Sequence, residues 1–348
     1  MTARFGHTEL PAEQARALRR AVRLERVSLG TTAVTMTLVI LVAGDSQAMK
    51  AAWVEDSLAL LPPLAFLVAV RFIRRAPTTR HPYGYHRTIG IAHLVSALAL
   101  LTMGGFLLID SGLGLARGER PPIGTMSVFG TPVWQGWLML LVMVVVIIPP
   151  VVLGRLKLRL APLLHDKVLY ADAQMNKADW TSSLATIIGV LGIGVGLWWM
   201  DAAAAIAVSL SILHDGWTNL RGSVLDLMDA RATQYDGEDP DPLVHRTDEA
   251  LQAADWVAEA ECRIRDQGHV LHVEAFVVPT GGAPPALARI TELRERCIAL
   301  DWRIQDFVLS VVEELPRELL PQLAEQEQAS ASGDDPRAAA QPSSEEHP

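Results

Sequence analysis

The chain has 348 residues, half of them hydrophobic and only 20% charged, with a formal net charge of −9. Soluble chains average about 25% charged residues, and here residues 90–109, 135–154 and 180–200 contain no Asp, Glu, Lys or Arg at all. Uncharged runs of that length match the roughly 20 residues needed to cross a bilayer core, which excludes an ordinary soluble enzyme and a disordered chain, while two cysteines are too few for a disulfide framework and the acidic balance does not suggest nucleic acid as a partner.

In chain order, residues 1–26 read as a polar, Arg-rich cytoplasmic segment without the apolar core of a signal peptide. A transmembrane domain of six spans is predicted over 27–221, with spans at about 27–45, 50–73, 88–115, 133–154, 169–198 and 201–218. Pro62-Pro63 should kink the second span. Gly189, Gly192, Gly194 and Gly196 let the fifth approach its neighbours closely. Fifteen Lys and Arg flank one side of the spans, against Lys50, Arg117 and Arg120 on the other. The positive-inside rule then places both termini in the cytoplasm of a multi-pass plasma-membrane protein.

Residues 222–316 read as a cytoplasmic domain. A helix is predicted over 242–254, strict alternation marks a half-buried strand over 258–265, a second strand follows over 270–278, a helix over 285–300 and a last strand over 306–312. The order α-β-β-α-β suits a small ferredoxin-like α+β fold, so the chain is expected to join a six-helix membrane domain to that fold. The tail 317–348, rich in Gln, Ala, Ser, Asp, Glu and Pro, is expected to be disordered.

A carboxylate inside a span costs about 2.5–3.5 kcal/mol, so each needs a reason. Glu55 and Asp56 lie in the second span and Asp172 and Asp179 in the fifth. Asp172, Met175, Asn176 and Asp179 recur at i, i+3, i+4 and i+7 and share one helix face. Two carboxylates, an amide oxygen and a thioether on one face can coordinate a cation, with Glu55 or Asp56 completing the site. Asp172 reads as a charge at the membrane edge, and Lys177 as the partner of a plain ion pair. His93 reads as hydrogen-bonded structure and Asp110 as a residue near the outer interface.

The stretch His81-Pro82-Tyr83-Gly84-Tyr85-His86-Arg87 resembles the HPYGYGR signature of the cation diffusion facilitator family. Glu55-Asp56-Ser57-Leu58, Ala171-Asp172 with Asp179, Trp198-Trp199-Met200-Asp201-Ala202, Gly216-Trp217 and Leu227-Met228-Asp229 resemble further family segments in the expected order, so the likeness runs from about residue 27 to 316. It implies a homodimeric exporter that moves divalent metal ions out of the cytoplasm in exchange for protons, the metal being substrate and no cofactor being needed. The family's transport site maps onto Asp56 and Leu60 in the second span and Met175 and Asp179 in the fifth. Leucine thus replaces an Asp and methionine the usual His or Asp, while His86 stands where Gly is usual and Ile89 where Glu is usual. Asn176 or Glu55 fills the gap. Two hard oxygens and one soft sulfur are not the ordinary four-coordinate zinc set, and without a site histidine, proton exchange falls to crowded carboxylates.

The resemblance also implies cytoplasmic metal sites of His and Asp. His245, His269 and His272 are present, but Ser310 and Val312 occupy the last strand where ligands are expected. His272 and Glu274 read as a solvated strand face, and the domain as serving dimerisation. Two lost ligands keep open a second class, a non-transporting relative acting as sensor, scaffold or partner subunit. A membrane enzyme has no supporting nucleophile, zincin or phosphate-loop motif.

Overall fold

The computed structural model describes residues 10–43, 57–118, 125–128, 131–237, 239–316 and 319. The expectations for Glu55, Asp56 and the tail after residue 316 fall outside these residues, Leu319 aside. By its internal contacts the chain divides into two compact units, Met1–Asp241 with Arg265–Leu271 and Pro242–Ile264 with His272–Pro348.

The first unit carries helices α1 (Ala12–Ala43), α2 (Leu61–Ile73), α3 (Thr88–Ala116), α4 (Gln135–Leu164), α5 (Lys167–Gly194) and α6 (Met200–Leu227). An antiparallel hairpin of β1 (Thr125–Val128) and β2 (Thr131–Trp134) sits between α3 and α4, in a stretch the sequence reading left without structure. Among the described residues α3 is the one helix both long and apolar enough to cross a bilayer, and a shorter apolar helix covers Ser57–Ile73. Pro62 and Pro63 lie where this helix is interrupted. The helical segment from Ser57 breaks at Leu60 and α2 restarts with both prolines in its first turn, where an absent N–H goes unused.

Left-handed residues end several of these helices. After α4, His165 takes φ 48 and the N–H of Asp166 reaches back to Ala161 O at 3.0 Å. The Asp166 carboxylate then accepts the N–H of Leu169 at 2.9 Å, capping α5. Gly196 at φ 92 ends α5 with Leu197 N on Gly192 O at 2.9 Å, and Asp229 at φ 63 ends α6 with Ala230 N on Leu225 O at 3.0 Å. His165 and Asp229 thereby hold a conformation that glycine usually supplies.

An apolar core joins α1, α2, α4 and α5 through Ala17, Leu18, Ala21, Phe66, Val70, Leu160, Leu164 and Leu169. The buried Ala17, Leu18 and Ala21 show that α1 packs from its first turns onward, within the stretch expected to be a polar cytoplasmic segment. A second core gathers Leu100, Met103, Leu107, Met175, Ala178 and Ile212, with Leu58 and Ala59 packed against it.

The second unit comprises α7 (Leu243–Gln252), β3 (Val257–Asp266), β4 (Leu271–Pro279), α8 (Leu287–Ile298) and β5 (Ile304–Val311), apart from the strand ends at Arg265, Asp266 and Leu271. The strands form one sheet in the order β3-β4-β5. Ala260, Cys262 and Ile264 of β3 are buried while Glu259 and Arg263 are exposed, as a pleated strand with one covered face requires, although Ala258, expected on the covered face, is exposed at the strand's start. Leu251, Val273, Val277, Leu293, Cys297 and Phe307 complete the core, each large apolar side chain contributing about 1.5–3 kcal/mol.

Candidate functional site

Met175, Asn176 and Asp179 of α5 are the part of the expected site that lies within the described residues. Met175 is 1% exposed and sits in the core shared with Leu100, Met103, Leu107 and Ile212, against which Leu58 and Ala59 pack. The start of the second helical segment and the middle of α5 therefore meet at Met175. Asn176 is buried, and its amide N–H donates to the Asp172 carbonyl at 2.8 Å. That bond occupies the nitrogen end and leaves the side-chain carbonyl as the end with acceptor chemistry. A Cβ on Gly154 of α4 would lie 3.1 Å from Asn176 Cβ, so the glycine lets α4 approach α5 closely here. Asp179 is half-buried one turn further on, its backbone carbonyl accepting the Ser183 hydroxyl at 2.9 Å. Glu55 and Asp56, the expected acids of the second span, lie outside the described residues.

The remaining polar residues of α5 take definite partners. Lys177 donates to Asp215 Oδ2 of α6 at 2.7 Å, the plain ion pair expected for it. Asp172 departs from expectation. It is 2% exposed, not a solvated helix-end charge, and it pairs with the fully buried Lys157 of α4, which also faces Glu25 of α1. Sequence pattern missed this cluster because Glu25 is embedded in an Arg-rich run and Lys157 in a basic loop, where both read as solvated. His93 is buried with its Nε2 3.2 Å from Asn219 Oδ1, which is the structural role expected of it. Asp110 is exposed.

A second polar cluster surrounds a small pocket lined by Arg87, His93, His165, Lys167, Asp226 and Asp266, among others. Lys167 bridges Asp226 at 2.7 Å, Asp266 at 3.1 Å and the Thr233 hydroxyl at 2.9 Å. Burial opposes the charge on Asp266, but Lys167 and His165 outweigh it and hold this carboxyl below its ordinary pKa. Burial likewise opposes the charge on Lys167, which Asp266 and Asp226 more than offset, so its pKa is raised. Two anions thus clasp one ammonium, and the cation position in this cavity is filled by the protein's own lysine. His269 of the 265–271 segment pairs with Asp166. Its neighbour Gly268, at φ 101, comes so close to His86 and Ile89 that a Cβ there would lie 2.8 Å from His86 O.

In the second unit His272 is 5% exposed, with Nδ1 on Asp306 and Nε2 3.0 Å from Glu274. That overturns the solvated strand face expected of His272 and Glu274. The pattern of β4 placed His272 on a polar face, but the neighbouring strand β5 covers it with Asp306. His245 is exposed beside Glu249 at 3.2 Å. Among the described residues no three His, Cys, Asp or Glu side chains gather closely enough to hold a metal ion.

A family model described as the cation efflux transmembrane domain matches residues 27–228, more than half of the chain. The manganese efflux system protein MneS of Bacillus subtilis (strain 168) is 28% identical over 186 residues, covering 53% of this chain and 59% of that protein. The uncharacterized transporter YdbO of the same organism is 25% identical over 195 residues, covering 55% and 62%. The uncharacterized transporter MJ0449 of Methanocaldococcus jannaschii is 27% identical over 146 residues, covering 42% and 47%. The chain thus spans about three-fifths of the length of the two Bacillus relatives it matches.

Proposed function

The chain belongs to the cation efflux family, and from that premise we propose that it exports a divalent metal cation from the cytoplasm by proton antiport. The transport site combines Asp56, aided by Glu55, from the second span with Met175, Asp179 and Asn176 from the fifth. The single observation that carries this reading is Met175. It is a buried thioether one turn from Asp179, in a core that also receives Leu58 and Ala59, the third and fourth residues after Glu55. In the proposed architecture six spans cross the plasma membrane with both termini in the cytoplasm, the α-β-β-α-β unit is ferredoxin-like, and the working protein is a homodimer.

Manganese is the first ion to test. Carboxylate and amide oxygens suit it, and the thioether is the one soft donor in the set. MneS is named for manganese efflux, which agrees with that choice. Alternating access would rock the helices carrying the site acids against the rest, as in other transporters with a site at the bilayer midplane. Paired carboxylates exchange protons for metal because like charges held close together raise the pKa of one of them.

The test is metal uptake into liposomes holding the full-length protein, with an imposed pH gradient, across Mn, Zn, Fe, Co, Cd and Mg. Flux of one metal is expected, and Asp179→Asn should lower it by at least tenfold, because the variant keeps the shape and loses the charged donor. Folded protein that moves none of these ions refutes the transport reading and favours a sensor, scaffold or partner-subunit role.

A further inference from the structure

Three charged side chains meet inside the first unit, apart from the proposed transport residues. Lys157 of α4 has no exposed side-chain surface. Its ammonium lies 3.0 Å from Oε2 of Glu25 on α1 and donates a hydrogen bond to Oδ2 of Asp172 on α5. Glu25 is equally enclosed, and the Asp172 side chain is 3% exposed. Beyond the facing ammonium, neither oxygen of Glu25 has a hydrogen-bond partner among the described residues.

The charges do not balance, since two carboxylates face one ammonium. A buried charge without compensation is strongly unfavourable, and such a group takes up a proton instead. The hydrogen bond of the ammonium goes to Asp172, which leaves Glu25 as the carboxyl to be neutralised. We propose that the Glu25–Lys157–Asp172 cluster is a proton-binding site, with the proton carried on Glu25.

Among the described residues, nothing else packed around Glu25 supplies the missing charge. On α1 itself Arg23 and Arg26 are exposed. On α2, Phe66, Ala69 and Val70 are buried while Arg71 is exposed. On α4, Arg155 and Arg159 are exposed, and on α5 Lys167 is committed to Asp226 and Asp266. Glu25 precedes the first predicted span, and burial, then the nearby Asp172, push its carboxyl well above the ordinary range against the pull of Lys157.

The position of the site gives the proton a use. Asp172 and Asp179 share a face of α5 two turns apart. Movement of α5 that carries Asp179 between its two exposures also changes the distance from Asp172 to Lys157. When Asp172 withdraws, the ammonium is free to pair fully with Glu25, whose O–H bond then breaks and releases the proton. This coupling rests on the transport reading above, whereas the protonation of Glu25 does not.

The two are separated by experiment. Infrared difference spectra of the purified full-length protein, recorded as the pH is raised from neutral, should show loss of the carbonyl stretch of a protonated carboxylic acid. The band should be absent in Glu25→Gln and retained in Asp179→Asn. A wild-type protein without the band at neutral pH, or a band that persists in Glu25→Gln, overturns the proposal. Should Glu25→Gln fail to fold, Glu25→Asp keeps the acid but moves it one methylene from Lys157. The band must then shift, and an unmoved band overturns the assignment. In liposomes, Glu25→Gln should lose the dependence of metal flux on the pH gradient, and an unchanged dependence refutes the coupling. A wild-type protein that moves no metal refutes the transport reading alone and leaves the infrared result standing.

Discussion

His86 offers a sharp test of how burial sets the pH response of the first unit. It replaces the glycine usual at that position of the signature, is 6% exposed, and its Nδ1 has no hydrogen-bond partner among the described residues. Burial, then the proximity of His269, lower its pKa from 6.5 to about 4. In the unfolded chain the imidazole takes up its proton near 6.5, while the folded protein resists protonation until about pH 4. Between those values the unfolded state binds more protons, so stability falls as the pH falls from 6.5 and levels off below 4. At about 1.36 kcal/mol per pH unit the interval is worth about 3 kcal/mol, several degrees in Tm. His86→Gln removes the titrating group and keeps much of the volume. Melting temperatures of both proteins in detergent, taken from pH 7.5 to 4, should diverge, with the wild type losing about 3 kcal/mol more than the variant. Parallel curves would refute the reasoning, because every other titrating group is common to both proteins.

Two further outcomes are expected. Gly216→Ala should destabilise by about 1–3 kcal/mol through overpacking, since the new Cβ would lie 2.9 Å from the backbone nitrogen and 3.0 Å from the Cα of Leu101, a neighbour that side-chain rotation does not move aside. A drop in Tm checks this, and an unchanged Tm would show that α3 and α6 are free to separate there. Met175→His replaces the thioether with a nitrogen donor that suits zinc, so in the liposome assay the ratio of zinc to manganese flux should rise, and an unaltered ratio would remove Met175 from the site.

The membrane-bound family was legible because its signals are local. The uncharged runs and the His81–Arg87 signature are read without knowing which helices touch, and the match over residues 27–228 agrees with the family they indicate. The helix and strand order of the second unit was legible for the same reason. Alternation over 258–265 reports a half-buried strand whatever covers it, and Ala260, Cys262 and Ile264 are indeed its buried side. Pro62 and Pro63 do interrupt the second helical segment, which pauses at Leu60 before α2 resumes.

What the sequence alone determined is the class of protein and the periodicity of its elements, since hydropathy and side-chain spacing depend only on neighbours along the chain. The partners of the charged residues were decided by the tertiary structure. Lys157 and Asp172 are 15 residues apart and belong to different helices, and Glu25 comes from a third. His272 looked solvated until β5 brought Asp306 across it. A charge in a basic loop and a charge in a buried cluster have the same local sequence. The difference is the desolvation imposed by distant segments, and that exists only once the helices and strands have packed.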